Sequence, residues 1–145
     1  MNEWLVVDAS VIIKAFVSEE SSGSASSIWS SDAILAVPSH ALAEVGEALR
    51  RKRAKNEITE LQLAEVCLVL PRSFLSIAID DLFARAMEVA RQIPLGFYDG
   101  LYLAAAERLD CQVVTADAKF VSATTESIWE ARTSPLDAFG ATLTR

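Results

Sequence analysis

Three short apolar runs in this chain each end in an aspartate: Leu5-Val6-Val7-Asp8, Leu95-Gly96-Phe97-Tyr98-Asp99 and Val113-Val114-Thr115-Ala116-Asp117. A glutamate, Glu44, lies between the first and second of them on a stretch with helical spacing. Two unit charges ~4 Å apart repel by about 4 kcal/mol at an effective dielectric near 20. A fold that gathers four carboxylates therefore needs a cation among them, and the hard, oxygen-seeking choice is Mg²⁺ or Mn²⁺. Such an ion lowers the pKa of bound water and stabilises charge on a phosphoryl group. The residues point to metal-dependent chemistry on phosphoesters.

Each acid also has a plain structural reading. Asp8, with Ser10 two residues on, stands where a strand meets a helix, and either side chain is suited to cap that helix. Asp99 opens an alanine-rich helix, where a negative charge complements the dipole. Asp117 follows a strand and again reads as a cap. Caps alone do not explain why all three recur at the carboxyl ends of apolar runs, the edge where open α/β sheets bind ligands. Glu44 is the most telling member, because its helical neighbours Ala41 and Ala48 are small and let a helix approach the sheet end. Glu47, one turn on, is either a further ligand or a solvated side chain. His40 is the only histidine; a capping or surface role fits it better than a nitrogen-rich zinc site. No serine or cysteine triad can be assembled around it, and no glycine-rich phosphate loop is present.

The elements that must position these residues follow from the pattern. Strands are expected at Trp4–Val7, Ala33–Val37, Ser73–Ile79 and Gln112–Thr115. Helices are expected over Ser10–Val17, Ala25–Ser31, from Pro38-Ser39 to about Ala54, from a Thr59/Gln62 capping box to Leu70, after Asp80-Asp81, over Tyr98–Leu109 and after Asp117. Ser21-Ser22-Gly23-Ser24 reads as a loop and cap, and Ile128–Arg145 as a short edge strand with a weakly ordered tail. Strands alternating with helices predict a mainly parallel sheet covered on both faces, in one domain spanning residues 1–145.

Composition sets the outer limits. At 145 residues, with 52% apolar and 23% charged residues, the chain is long enough and apolar enough to bury a core. It has no apolar run long enough for a membrane span and no visible signal peptide. Cys67 and Cys111 read as a reduced pair, which suits the cytoplasm. A net charge of −7 argues against gripping nucleic acid by overall charge, although not against a nuclease whose acids are neutralised by metal. Basic residues cluster at Arg50, Arg51, Lys52, Arg53 and Lys55, on the Glu44 helix. They either complement the helix end or contact phosphates of an RNA strand, with Arg50, Arg51 and Arg53 the candidates; about nine residues of helix span roughly 13 Å.

Taken together, Leu5-Val6-Val7-Asp8-Ala9-Ser10, Glu44-Val45 with Ala48-Leu49-Arg50, Tyr98-Asp99-Gly100-Leu101-Tyr102-Leu103-Ala104 and Val114-Thr115-Ala116-Asp117-Ala118-Lys119-Phe120 resemble the PIN domain, most closely the VapC toxins of prokaryotic toxin–antitoxin pairs. The resemblance implies a three-layer α/β/α fold and a Mg²⁺- or Mn²⁺-dependent endoribonuclease acting on transfer or ribosomal RNA. It further implies a homodimer held in check by a small VapB-like antitoxin. Carried over by position, it makes Asp8, Glu44, Asp99 and Asp117 the metal-site acids, with Ser10 and Thr115 in support. Glu47 stands where family members often carry asparagine. Trp29, Leu63 and Val66 are the apolar positions the pattern offers to a dimer.

The expected reaction is hydrolysis of single-stranded RNA by a metal-activated water, leaving a 5′-phosphate and a 3′-hydroxyl as the resemblance suggests. Asp8 and Asp117 are the first choices as direct ligands, with Glu44 and Asp99 binding directly or through water. Two rivals use the same acids differently. A receiver-like phosphotransfer module wants adjacent acids at the first strand, and this chain has one. A PIN-like binding module without catalysis would lose metal binding.

Overall fold

The computed structural model describes residues 3–17, 22–29 and 31–138. The elements run β1 (Trp4–Val7), α1 (Ala9–Phe16), α2 (Ser22–Trp29), β2 (Ile34–Pro38), α3 (His40–Ala54), α4 (Glu60–Val69), β3 (Leu75–Ile77), α5 (Ile79–Gln92), α6 (Phe97–Leu109), β4 (Gln112–Thr115), α7 (Ala118–Thr124) and β5 (Thr133–Pro135). Single 3-10 turns occupy Leu70–Arg72 and Glu130–Arg132. The five strands form one sheet in the order β3-β2-β1-β4-β5, and every pairing is parallel.

That order explains the position of the acids. The chain starts at the central strand, steps outward to β2 and β3, then returns to lay β4 on the other side of β1. Strand order reverses between β1 and β4, and the crevice at their carboxyl ends is the natural ligand site of such a sheet. Asp8 leaves β1 there, with its backbone N–H donating to Val114 O at 3.0 Å and so prolonging the β1–β4 ladder. Thr115 ends β4.

Helices cover both faces, giving three α/β/α layers. β1 and β4 are continuous apolar runs because neither face meets water: Val6, Val7, Val113 and Val114 are fully buried. Helix α6 is buried from Gly100 to Ala106 and packs on β1, β2 and β4. Its close neighbour is α5, and Gly100 permits the approach. A Cβ there would stand 2.6 Å from Ala86 O, so only glycine fits.

Several boundaries differ from expectation for local reasons. α2 starts at Ser22, where a loop was expected, and Ser21 lies outside the described residues. Asp80 and Asp81 do not cap α5; Ala78 does, and the two acids sit in its first turn beside the dipole. α3 does end at Ala54 as expected, with Lys55 at its C-cap and Asn56 taking a left-handed φ of 60° to leave it. The Thr59/Gln62 capping box is formed in both directions. The expected edge strand is β5, while residues 139–145 lie outside the described residues.

Trp29, Leu63 and Val66 do not form a free face, which corrects the sequence reading. Val66 is buried, Leu63 packs against the core, and Trp29 stacks edge-on between Phe16 and Phe74. The apolar side chains left outward on α4 are Leu61, Leu68 and Val69. Apolar residues surround this helix, so its sequence carries no periodicity to tell the two faces apart.

Candidate active site

Asp8 is the anchor. Burial pushes its carboxyl upward most, Ser10 and Thr115 hold it down by hydrogen bonding, and Glu44 and Asp117 add repulsion. Ser10 Oγ donates to Asp8 Oδ2 at 2.6 Å, and Thr115 Oγ1 donates to the same oxygen at 2.8 Å. Each hydroxyl in turn accepts a backbone N–H from the β4–α7 junction, Ala116 at 3.1 Å and Asp117 at 3.0 Å. The Asp-Ala-Ser of one segment and the Thr-Ala-Asp of the other thus interlock. Asp8 makes no side-chain cap bond to α1. Both bonds fall on Oδ2, so among the described residues Oδ1 is left for the cleft.

Asp117 both caps and lines. Its Oδ1 accepts Lys119 N–H at 2.9 Å at the start of α7, and the side chain faces the cleft shared with Asp8. Asp99 lies in the first turn of α6, whose N-cap is Gly96, so capping does not account for it. Its carboxyl is pushed up to about 6, first by burial and then by the charges of Asp8, Asp117 and Glu44. The electrostatics show that the four acids sense one another.

Glu44 projects from α3 beside Tyr102, to which the sequence reading gave no role, and His40, which it placed at a cap or on the surface. Tyr102 O–H donates to Glu44 Oε1 at 3.2 Å and accepts the Ala9 N–H at 3.2 Å, linking α6, α3 and α1. Burial and the charges of Asp8 and Glu44 raise the Tyr102 hydroxyl far above its usual range, which keeps it a donor. His40 Nε2 lies 2.8 Å from the same Oε1, off the axis of a good hydrogen bond, and neither buried ring nitrogen is otherwise partnered. Its ring is set between Tyr98 and Tyr102, with centroids 5.2 and 5.1 Å away. The capping or surface role expected of His40 is corrected to a buried one beside Glu44. Spacing held the clue: His40 is one turn before Glu44 on α3, and Tyr102 is one turn after Asp99 on α6.

Asp8, Ser10, Glu44, Glu47, Arg51, Tyr98, Asp99 and Asp117 all line one cleft of about 610 Å³. Thr115 stands behind it, almost wholly buried. Glu47 is half-exposed at the rim, and the Arg50 guanidinium grips it at 2.6 and 3.0 Å and holds its carboxyl down to about 2. Arg51 approaches Glu47 at 3.5 Å. Arg53 turns away, to Glu60, Asn56 and the Ile58 carbonyl at the α3–α4 corner.

The donor set fits a hard divalent cation: carboxylate oxygens from four elements, mutually repelling, with one permanent positive charge, Arg51, among the lining residues. No group of three or more acid, histidine or cysteine side chains converges as a finished cage among the described residues.

Comparisons with known proteins agree with this geometry. The PIN domain family profile matches residues 5–125. Ribonuclease VapC1 of Mycobacterium tuberculosis is 32% identical over 123 residues, covering 81% of this chain and 89% of the relative. Among solved structures, PAE2754 from Pyrobaculum aerophilum superposes with a TM-score of 0.66 at 20% identity, over 99% of this chain and 90% of its own. VapC20 of Mycobacterium tuberculosis, described as a sarcin-ricin loop cleaving toxin, superposes with a TM-score of 0.63 at 20% identity, over 82% of this chain and 94% of its own. At that identity the two structures speak for the fold.

Proposed function

The chain belongs to the PIN domain family, and from that membership we propose that it is a VapC-type endoribonuclease, the toxin of a toxin–antitoxin pair. The observation that carries the reading is the meeting of Asp8, Glu44, Asp99 and Asp117 on one cleft where strand order reverses. Identity to a ribonuclease over most of both chains supports RNA as the substrate.

Asp8 Oδ1 and Asp117 would hold Mg²⁺ or Mn²⁺ directly, with Glu44 and Asp99 binding directly or through water. The bound ion supplies a water of lowered pKa and charge stabilisation at the phosphorus. Ser10 and Thr115 fix the Asp8 carboxylate so that one oxygen faces inward. Asp99, whose carboxyl is pushed up to about 6 first by burial, accepts the proton of the attacking water. Glu47 holds Arg50 and approaches Arg51 at the cleft rim; of the strip Arg51, which lines the cleft, meets substrate phosphates, while Arg50 stays with Glu47 and Arg53 with the α3–α4 corner. Transfer or ribosomal RNA is the target class, a VapB-like antitoxin the partner, and the cytoplasm the setting. Homodimerisation uses the outward face of α4, where Leu61 and Leu68 recur after seven residues.

Incubation of total cellular RNA with purified protein, in Mg²⁺ and in EDTA, tests the reading. Discrete fragments with 5′-phosphate ends, present only with the metal, are expected. Intact RNA in both reactions would favour a PIN-fold binding module instead.

A further inference from the structure

The cleft is poorly built for attracting RNA by charge. The chain carries −7 overall, and the acids that line the cleft repel phosphate. Of the basic strip only Arg51 reaches the lining; Arg50 is engaged by Glu47, and Arg53 is turned into the α3–α4 corner. Salt-dependent phosphate neutralisation supplies most of the affinity of basic nucleic-acid binders. A metal among the acids would hold only the phosphate at the reacting centre, so the grip on the rest of the strand needs a second, uncharged source.

Tyr98 has the placement for it. Its side chain is largely exposed, at 62%, yet it lines the same cleft as Asp8, Glu44, Asp99 and Asp117. It stands in the first turn of α6, and its side chain and that of Asp99 line the one cleft. One side leans on the His40 imidazole, tilted by 33° at 5.2 Å, and Tyr102 backs that imidazole from beyond. The brace holds the ring at the lip of the cleft and leaves most of its surface open. An aromatic ring held this way offers a π-face to any nucleobase that is not already stacked in a helix.

We propose that Tyr98 is the stacking platform for an unpaired nucleobase adjacent to the bond that is cut. The proposal rests on the ribonuclease reading and sharpens it: the substrate presents a splayed base in a loop or single strand. Stacking is indifferent to base identity, so this contact sets strandedness and register rather than sequence.

The test is the dissociation constant of a fluorescein-labelled single-stranded oligoribonucleotide, read by anisotropy with Ca²⁺ replacing Mg²⁺ to leave the strand uncut. Wild type, Tyr98→Ala, Tyr98→Trp and Arg51→Ala are compared over a range of salt. Tyr98→Ala should weaken binding about 5- to 150-fold at every salt concentration, and Tyr98→Trp should restore it. Arg51→Ala should instead flatten the salt dependence by about one unit of log–log slope. Wild-type affinity in Tyr98→Ala, or a tryptophan variant no better than alanine, would overturn the platform. Failure of the ribonuclease reading shows separately, as wild-type protein that binds the strand through Tyr98 but never cuts it in Mg²⁺.

Discussion

Thr115 Oγ1 donates a hydrogen bond to Asp8 Oδ2 at 2.8 Å across a sequence separation of 107 residues. The contact joins the carboxyl ends of β1 and β4, the two strands between which the sheet changes direction. It also continues into the backbone, because the Thr115 hydroxyl accepts the Asp117 N–H. One threonine therefore orients the Asp8 carboxylate on one strand and the loop carrying Asp117 on the other, the two acids proposed as direct metal ligands.

Thr115→Val keeps the volume and shape of this buried side chain while removing its donor. Partners that orient metal-binding groups typically cost about 10- to 100-fold in affinity or activity when lost. Thr115→Val should therefore cut RNA with a rate reduced by about that factor, while Thr115→Ser retains most of it. A valine variant with the wild-type rate would remove Thr115 from the account.

The pH dependence follows from Asp99. Its folded carboxyl titrates at about 6 instead of 3.8, so the folded protein keeps a proton that the unfolded chain has released. This group's contribution to stability is full below about pH 4 and is lost as pH rises to about 6. Burial gives Asp8 the same sign. A divalent ion competes with that proton, so Mn²⁺ affinity measured by calorimetry should climb from about pH 5 and level off above about pH 7. Asp99→Asn should flatten the rise. An affinity independent of pH in wild type would contradict the burial and acid–acid repulsion that raise Asp99.

Helix α6 owes its seat to Gly100. The Cβ of an alanine there would meet the Ala86 carbonyl oxygen at 2.6 Å, a backbone atom that moves only if α5 moves. Gly100→Ala should destabilise the fold by about 1–3 kcal/mol in urea unfolding, despite alanine's better helix propensity. A neutral or stabilising effect would mean that the two helices slide apart freely.

His40 is the third test of the site's support. His40→Phe preserves a ring between Tyr98 and Tyr102 and removes the nitrogen 2.8 Å from Glu44. Near-native thermal stability is expected, with Mn²⁺ affinity lowered about tenfold. Unchanged affinity would confine His40 to packing.

Much of this site was legible in the sequence because buried parallel strands read as unbroken apolar runs, so the acids that end β1 and β4 stand out. The alanine run of α6 likewise announced a closely packed helix. Gly100, one turn before that run, is where a Cβ would meet the α5 backbone. What stayed hidden depends on contacts made across the fold. His40 has a visible partner at i+4, but its burial comes from Tyr98 and Tyr102 on another helix. The outward face of α4 was misassigned because Leu, Val and Ala surround that helix. Arg53 looked equivalent to Arg50 and Arg51, yet its partners lie on the following turn and helix.

The most direct test is the cleavage rate of one labelled single-stranded RNA by wild type and Asp8→Asn in Mg²⁺, with folding checked by circular dichroism. Asparagine keeps the shape and removes the charge that the metal requires. Cleavage by wild type and its loss in a folded Asp8→Asn are the expected result. Equal cleavage by both proteins would contradict the claim that the four carboxylates form the active site.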